Sequence, residues 1–428
     1  MPMKKLAHDR FIVLLTFVLC LNLQCSKNNP VTTPDNTFSL MIDDASCTEV
    51  FLRLEIGAAN SSRTVTLKRD TTTLFTKTLA ATETAITDTN LLPAHSYTYH
   101  AQLSSGSTAQ VDARTMDTTS HNWSFQQFEL GDGSGSSALY DVAIVNDTLV
   151  YAVGEIYQGG TVYDVAKWNG RAWRLDQLYY SGNNPIVPIR GILVLKTDNI
   201  WLAAGGVFHW DGVVPEAQLS LSRLTLSDPN ATIEKLWGIS DSFLYGVGNS
   251  GTIVHFNGTS WTKIESGTAL DVRDIVGSPD GSEVLAIASN DTDKRLLKIQ
   301  GNTASSLPTD GLASMVYGNW FVQKRHYYVV GAGIHFKHAL NDSLWTRYPP
   351  GVVTSNLSGG VRGNDINDVF VTGSFLEIVH FNGTTWHNYR DVIPPRNAAV
   401  GRIAVHGNLM ITVGLDGQNA LVIVGKRL

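Results

Sequence analysis

The chain has 428 residues, enough for two or three domains with a large core. Only 16% of them are charged and the formal net charge is −6, which argues against nucleic acid as the main partner. Ser, Thr, Asn and Gly fill the gap, a composition suited to turn-rich β structure outside the cytoplasm.

The N-terminus reads as an export signal. Lys4, Lys5 and Arg10 form a positive start, and residues 11–21 are a largely apolar run too short to span a bilayer as a helix. The run ends at Leu21-Asn22-Leu23-Gln24-Cys25, and a polar stretch follows. This resembles a bacterial lipoprotein signal. The resemblance implies loss of residues 1–24, a lipid on Cys25, a polar linker over 25–36, and an exported chain held to a membrane by its lipid anchor alone, at a periplasmic or outer surface. An ordinary cleaved signal is the alternative. Cys47 then has no intramolecular partner and is expected to be a buried free thiol.

Residues 37–116 are Thr-rich and contain short alternating segments at 38–42, 50–56, 64–68, 74–79, 97–103 and 109–114. Six or seven strands in so short a stretch predict a small β-sandwich. Leu91-Leu92-Pro93-Ala94-His95-Ser96-Tyr97-Thr98-Tyr99 resembles the fibronectin type III signature, in which the Tyr hydrogen-bonds the backbone to close a corner. Domains of that family are most often spacers.

From about residue 120 onward, a short apolar strand ending in a small residue recurs seven times, roughly every 43 residues. The copies are 150–154, 200–205, 244–248, 284–288, 327–331, 369–373 and 410–414. A second element, [His/Lys]-aromatic-[Asn/Asp]-Gly, is clear at 167–170, 209–212, 255–258 and 380–383. Asn-Gly and Asp-Gly between strands predict hairpins with both central residues at positive φ. Trp173, Trp261, Trp345 and Trp386 then begin an outermost strand, while the fourth repeat, with Lys298-Ile299-Gln300-Gly301, is degenerate. The expected fold is all-β: a seven-bladed β-propeller over 120–428, preceded by the sandwich. The last repeat lacks its outer strand, and residues 122–128 supply one, closing the ring between chain ends.

Four histidines, His209, His255, His335 and His380, share one repeat position. They belong to third strands of different blades and diverge outward, too far apart to share an ion, so they are expected to pack the repeat rather than bind metal. No ligand spacing such as H-x-H, H-E-x-x-H or C-x-x-C occurs, and no metal or other cofactor is expected. The Asn-x-Ser/Thr triplets, Asn257 and Asn382 among them, read as turn chemistry.

The innermost strands line the channel of a propeller. At the middle position of apolar-x-[Gly/Asp] they carry Tyr140, Arg190, Trp237, Arg273, Tyr317, Arg362 and Arg402. Four arginines in an acidic chain suggest an anion or carboxylate site at a channel mouth. Alternatively, each Arg pairs with a nearby acid such as Asp198, Asp274, Asp365 or Asp368.

Asp368-Val369-Phe370-Val371-Thr372-Gly373, followed by His380 to Trp386, resembles the repeats of bacterial extracytoplasmic propellers similar to photosystem II assembly and stability factors. The resemblance implies fold, not chemistry. The function expected is a non-catalytic envelope lipoprotein whose propeller binds a protein or glycan partner. The alternative is a carbohydrate-active enzyme, of glycosidase or lyase type, with its site at the channel mouth.

Overall fold

The computed structural model describes residues 36–428, apart from 59, 61, 62 and 227. The segment expected to be an export signal, with Cys20 and the lipidation candidate Cys25, lies outside the described residues.

The N-terminal unit has two sheets. Phe38–Ala45, Val50–Ile56 and Glu83–Asp88 form one; Thr72–Thr78, Thr64–Arg69, Ser96–Leu103 and Thr108–Arg114, in that spatial order, form the other. Alternation drives the packing: Leu52, Leu54 and Ile56 face Tyr99, Ala101 and Leu103 in one buried core. Leu92 N donates to the Tyr97 hydroxyl at 2.9 Å, the corner bond expected from the signature. The strand Glu83–Asp88 is absent from the segments read in the sequence. Ile86 is its only large apolar residue directed at the core, so its alternation is weak.

Among the described residues of 123–427 there are seven four-stranded antiparallel sheets, and a small hairpin of Tyr179–Tyr180 with Asn184–Pro185. Their first strands are Ala138–Asn146, Gly191–Lys196, Lys235–Ser240, Val272–Gly277, Val316–Val322, Ser358–Asp365 and Ala398–His406. Each contacts the next, and the last contacts the first, so the sheets close into a ring. One apolar cluster fills each gap between successive sheets. Tyr151 and Val153 meet Ile200 and Leu202, for example, and Val150 and Ala152 meet Ile411 and Val413 where the last sheet abuts the first. The degenerate fourth repeat still forms a complete sheet, ending in Thr303–Leu307.

The small residue that marks each repeat has a steric cause. A Cβ on Gly154, Gly248, Gly331, Gly373 or Gly414 would collide with the carbonyl oxygen of Ala138, Thr232, Met315, Leu357 or Ala399 respectively. Gly331 and Gly373 end their second strands, Gly248 follows one, and Gly154 and Gly414 lie within theirs; at each, the backbone at the start of the first strand passes close.

The Asn-Gly turns differ from expectation. Only the glycine is left-handed, as at Gly170 (φ 90°) and Gly383 (φ 99°). The preceding Asn stays at negative φ, and its side chain closes the turn instead: Asn382 Oδ1 accepts from Thr384 N and Thr385 N at 3.0 and 2.9 Å.

The seam forms where the two ends of this region meet. Trp123–Leu130 pairs antiparallel with Asn419–Arg427, from Trp123↔Arg427 to Leu130↔Ala420. Behind it, His380 Nε2 lies 2.8 Å from Asp368 Oδ1, His380 Nδ1 lies 2.9 Å from His121 Nδ1, and Arg427 Nη2 reaches Asp368 Oδ2 at 2.5 Å. The sandwich docks against turns of the fifth and sixth sheets. Buried Cys47 donates to Asp117 O at 3.1 Å and fills the space a Cβ on Gly383 would need. Arg325 Nε binds Asp44 Oδ2 at 2.8 Å, and its guanidinium lies over the Phe51 ring.

Candidate functional site: an arginine-lined channel mouth

The first strands do not begin cleanly. Pairing with the second strand slips at Tyr140, Arg273, Tyr317, Gly359 and Gly401, each the extra residue of a β-bulge. Arg190 and Glu234 hold the equivalent place just ahead of their strands, and their N–H groups donate to Ala203 O and Val247 O. These seven positions turn toward the ring axis and line one cavity of about 510 Å³.

Of the seven channel residues read from the sequence, Tyr140, Arg190, Arg273 and Tyr317 therefore occupy the repeat position assigned to them. Trp237, Arg362 and Arg402 do not. The apolar-x-[Gly/Asp] pattern matched Trp237-Gly238 and Arg362-Gly363, three residues beyond Glu234 and Gly359, and Arg402 follows the bulge glycine by one. The pattern passes over Glu234 because Lys235, rather than Gly or Asp, follows it, and over Gly359 because Ser358 precedes it.

The three displaced side chains have different fates. Trp237 stacks on Tyr245 at 6.3 Å between the third and fourth sheets. Arg362 turns into the ring, where Nη1 and Nη2 bind Asp274 Oδ2 and Oδ1 at 3.0 and 2.9 Å and Nη1 also donates to Asn319 O. Arg402 still reaches the cavity wall, and its Nη2 donates to Arg273 O at 2.9 Å.

Below the mouth lies a belt of buried charge, one residue past the bulge in each strand that carries it. Asp141 and Asp274 are each 1% exposed. Lys235 Nζ meets Asp141 Oδ1 at 2.5 Å, and Asp141 Oδ2 accepts from Ile192 N. Burial pushes the Lys235 amine below its ordinary range, with Asp141 opposing. Burial would raise the Asp274 carboxyl, but the Arg362 guanidinium outweighs it and holds the group low. Opposite charges are thus matched inside the ring.

At the mouth the cavity lining itself carries three arginines against one carboxylate, with Asp271 and Glu155 behind it. Arg190 lies 4.0 Å from the Tyr140 ring centroid and 3.7 Å from Glu234. Arg273 pairs with Asp271 at 3.3 Å. Among the described residues, no carboxylate is in ion-pair contact with Arg402. Tyr140 donates to Glu155 at 2.6 Å; burial, then this bond, push its hydroxyl up to about 12. Three guanidiniums and two phenols around one opening can hold a carboxylate by charge-assisted, forked hydrogen bonds.

The four repeat histidines each make a local bond instead of converging. His209 meets Asn199, His255 meets Asn302, His335 accepts from Ala313 N, and His380 meets Asp368. A different group does converge. Glu49, His326 and His338 bring their ligand-type atoms within 4.8 Å of one another. Glu49 comes from the sandwich and the histidines from one hairpin of the fifth sheet, so no short sequence spacing announces them.

This ring of sheets is a β-propeller. The chain is similar to the solved structure of YCF48 bound to D1 peptide, with a TM-score of 0.55 and 14% identity over 70% of this chain and 94% of that one. It is also similar to the WD40 β-propeller domain of Doa1, with a TM-score of 0.52 and 14% identity over 71% and 97% of the two chains. At this identity the likeness carries the fold alone. No family model matches the sequence, and no curated relative matches it.

Proposed function

We propose that the chain is a seven-bladed propeller carried on a fibronectin type III-like spacer, and that it binds an acidic segment of a protein partner at the arginine-lined mouth. The observation that carries this reading is the cavity of about 510 Å³ lined by Arg190, Arg273 and Arg402 with Glu234 as its one carboxylate. A mouth of that charge favours recognition of an anion over two-carboxylate glycosidic chemistry, which needs a pair of acids facing one substrate. A structurally similar propeller is known bound to a peptide, which agrees with a protein partner. The spacer reading rests on the strand order of the two N-terminal sheets and on the Tyr97 corner. In this reading residues 37–116 are the spacer, 120–428 the propeller, and Cys25 carries the lipid that holds both at an envelope surface, following cleavage after residue 24.

Titrating the purified chain with Glu- and Asp-rich peptides and with acidic oligosaccharides tests the site. Arg273→Ala/Arg402→Ala is expected to weaken peptide binding about 10-fold or more. Equal affinity in wild type and variant would sink the proposal, and preference for the oligosaccharide would assign the mouth to a glycan.

A further inference from the structure

The contact between the sandwich and the ring contains donors that neighbouring protein atoms leave poorly satisfied. Glu49 is 6% exposed, and its carboxylate has one close hydrogen-bond partner, the Ser46 hydroxyl at 3.1 Å. Its other neighbours are His338 Nδ1, 3.4 Å from Oε1, and His326 Nε2, 3.7 Å from Oε2. Both distances exceed a good hydrogen bond. The two imidazole rings pack at a tilt of 47° with centroids 4.6 Å apart, and His326 Nδ1 is buried with no hydrogen-bond partner.

We propose that Glu49, His326 and His338 form a Zn²⁺ site that clamps the N-terminal sandwich to the fifth sheet of the ring. Two imidazoles and one carboxylate are a zinc-type donor set, whereas Ca²⁺ and Mg²⁺ prefer oxygen alone. Zinc ligands at about 2.0–2.1 Å in tetrahedral array lie roughly 3.3 Å apart. The closest Glu–His separations, one from each carboxylate oxygen, are near that value, and one ligand atom from each residue lies within 4.8 Å of the others, so closing around an ion needs a contraction of at most about 1.5 Å. An adjoining cavity of about 150 Å³ leaves room for a fourth ligand such as water. His338 is exposed and provides the entry path, while His326 and Glu49 form the protected side. The ion would neutralise a buried carboxylate whose one close hydrogen-bond partner is the Ser46 hydroxyl, and its ligands would come from both units at once. Binding is therefore coupled to docking.

The test uses the full chain, stripped with chelator and dialysed against ZnCl₂, with bound metal counted by elemental analysis. Wild type is compared with His338→Ala, which removes an exposed ligand, and Glu49→Gln, which keeps the shape and the Ser46 contact. Wild type should hold one more zinc per chain than either variant. Even loss of a supporting group around a ligand costs about 10–100-fold in affinity, so each variant should bind at that site at least about 100-fold more weakly. Cobalt in place of zinc should give the intense visible absorption of a four-coordinate ion in wild type and not in Glu49→Gln. Equal zinc stoichiometry and affinity in all three proteins would overturn the proposal. So would a site that takes Ca²⁺ or Mg²⁺ in preference to Zn²⁺.

Discussion

At the scale of single residues, the channel is governed by where charge can be matched. Arg362 and Asp274 illustrate the matched case, with two parallel bonds between a buried acid and a mostly buried guanidinium. Removing either partner strands the other, so Arg362→Ala and Asp274→Ala should each destabilise the fold by on the order of 3–5 kcal/mol in denaturant melts. A loss below 1 kcal/mol would mean that water reaches the pair. The sequence revealed that arginines gather on the first strands, because their type and repeat spacing are visible there. It did not reveal which of them face the mouth. That depends on a bulge or a turn at the start of each first strand that no residue type announces: Tyr, Arg, Glu and Gly all occupy the position. The alternative that each Arg pairs with an acid holds for Arg362, Arg190 and Arg273 to different degrees. The pairings run to Asp274, Glu234 and Asp271, of which only Asp274 was among the acids considered.

At the scale of elements, the decisive feature is the seam. Trp123–Leu130 completes the last sheet across eight residue pairs, and Trp123 packs edge-on against Phe370 of the preceding sheet. A chain lacking residues 123–130 would present the whole edge of Asn419–Arg427 to solvent. We expect that variant to aggregate on size exclusion, while a chain lacking residues 37–116 stays monomeric because its seven gap-filling clusters are intact. Monomeric, fully folded protein without 123–130 would show that the closing strand is dispensable. This seam was legible in the sequence because two absences matched: a repeat without its last strand and a Trp-headed strand without its repeat. The strand Glu83–Asp88 was not, since it carries little apolar alternation. The Glu49–His326–His338 group was not either, since sequence distance conceals a contact between separate units.

At the scale of the whole molecule, pH should act through buried histidines. Burial lowers His121 and His335 to about 4 and also lowers His380. Each is neutral in the fold and titrates near the ordinary value of 6.5 once unfolded. Falling pH therefore protonates the unfolded chain first, so their contribution is complete above about pH 6.5 and is lost as pH falls, toward pH 4 for His121 and His335. His335, wholly buried, alone should account for up to about 1.4 kcal/mol per pH unit in that window. Melting temperature measured from pH 7.5 to 4.5 should fall along this course, and His335→Gln should flatten it. A constant melting temperature would contradict the burial argument.

The account rests most heavily on the arginines of the mouth acting on an anionic partner, and one charge-swap measurement addresses that directly. The affinity of an acidic peptide is measured for wild type, Glu234→Gln and Arg402→Glu by titration calorimetry at fixed ionic strength. Glu234→Gln removes the cavity's one carboxylate and releases Arg190, so binding should tighten about 3- to 10-fold. Arg402→Glu should abolish it. Opposite signs in the two variants support an anion site at this mouth, and indifference of the peptide to both would place its binding elsewhere.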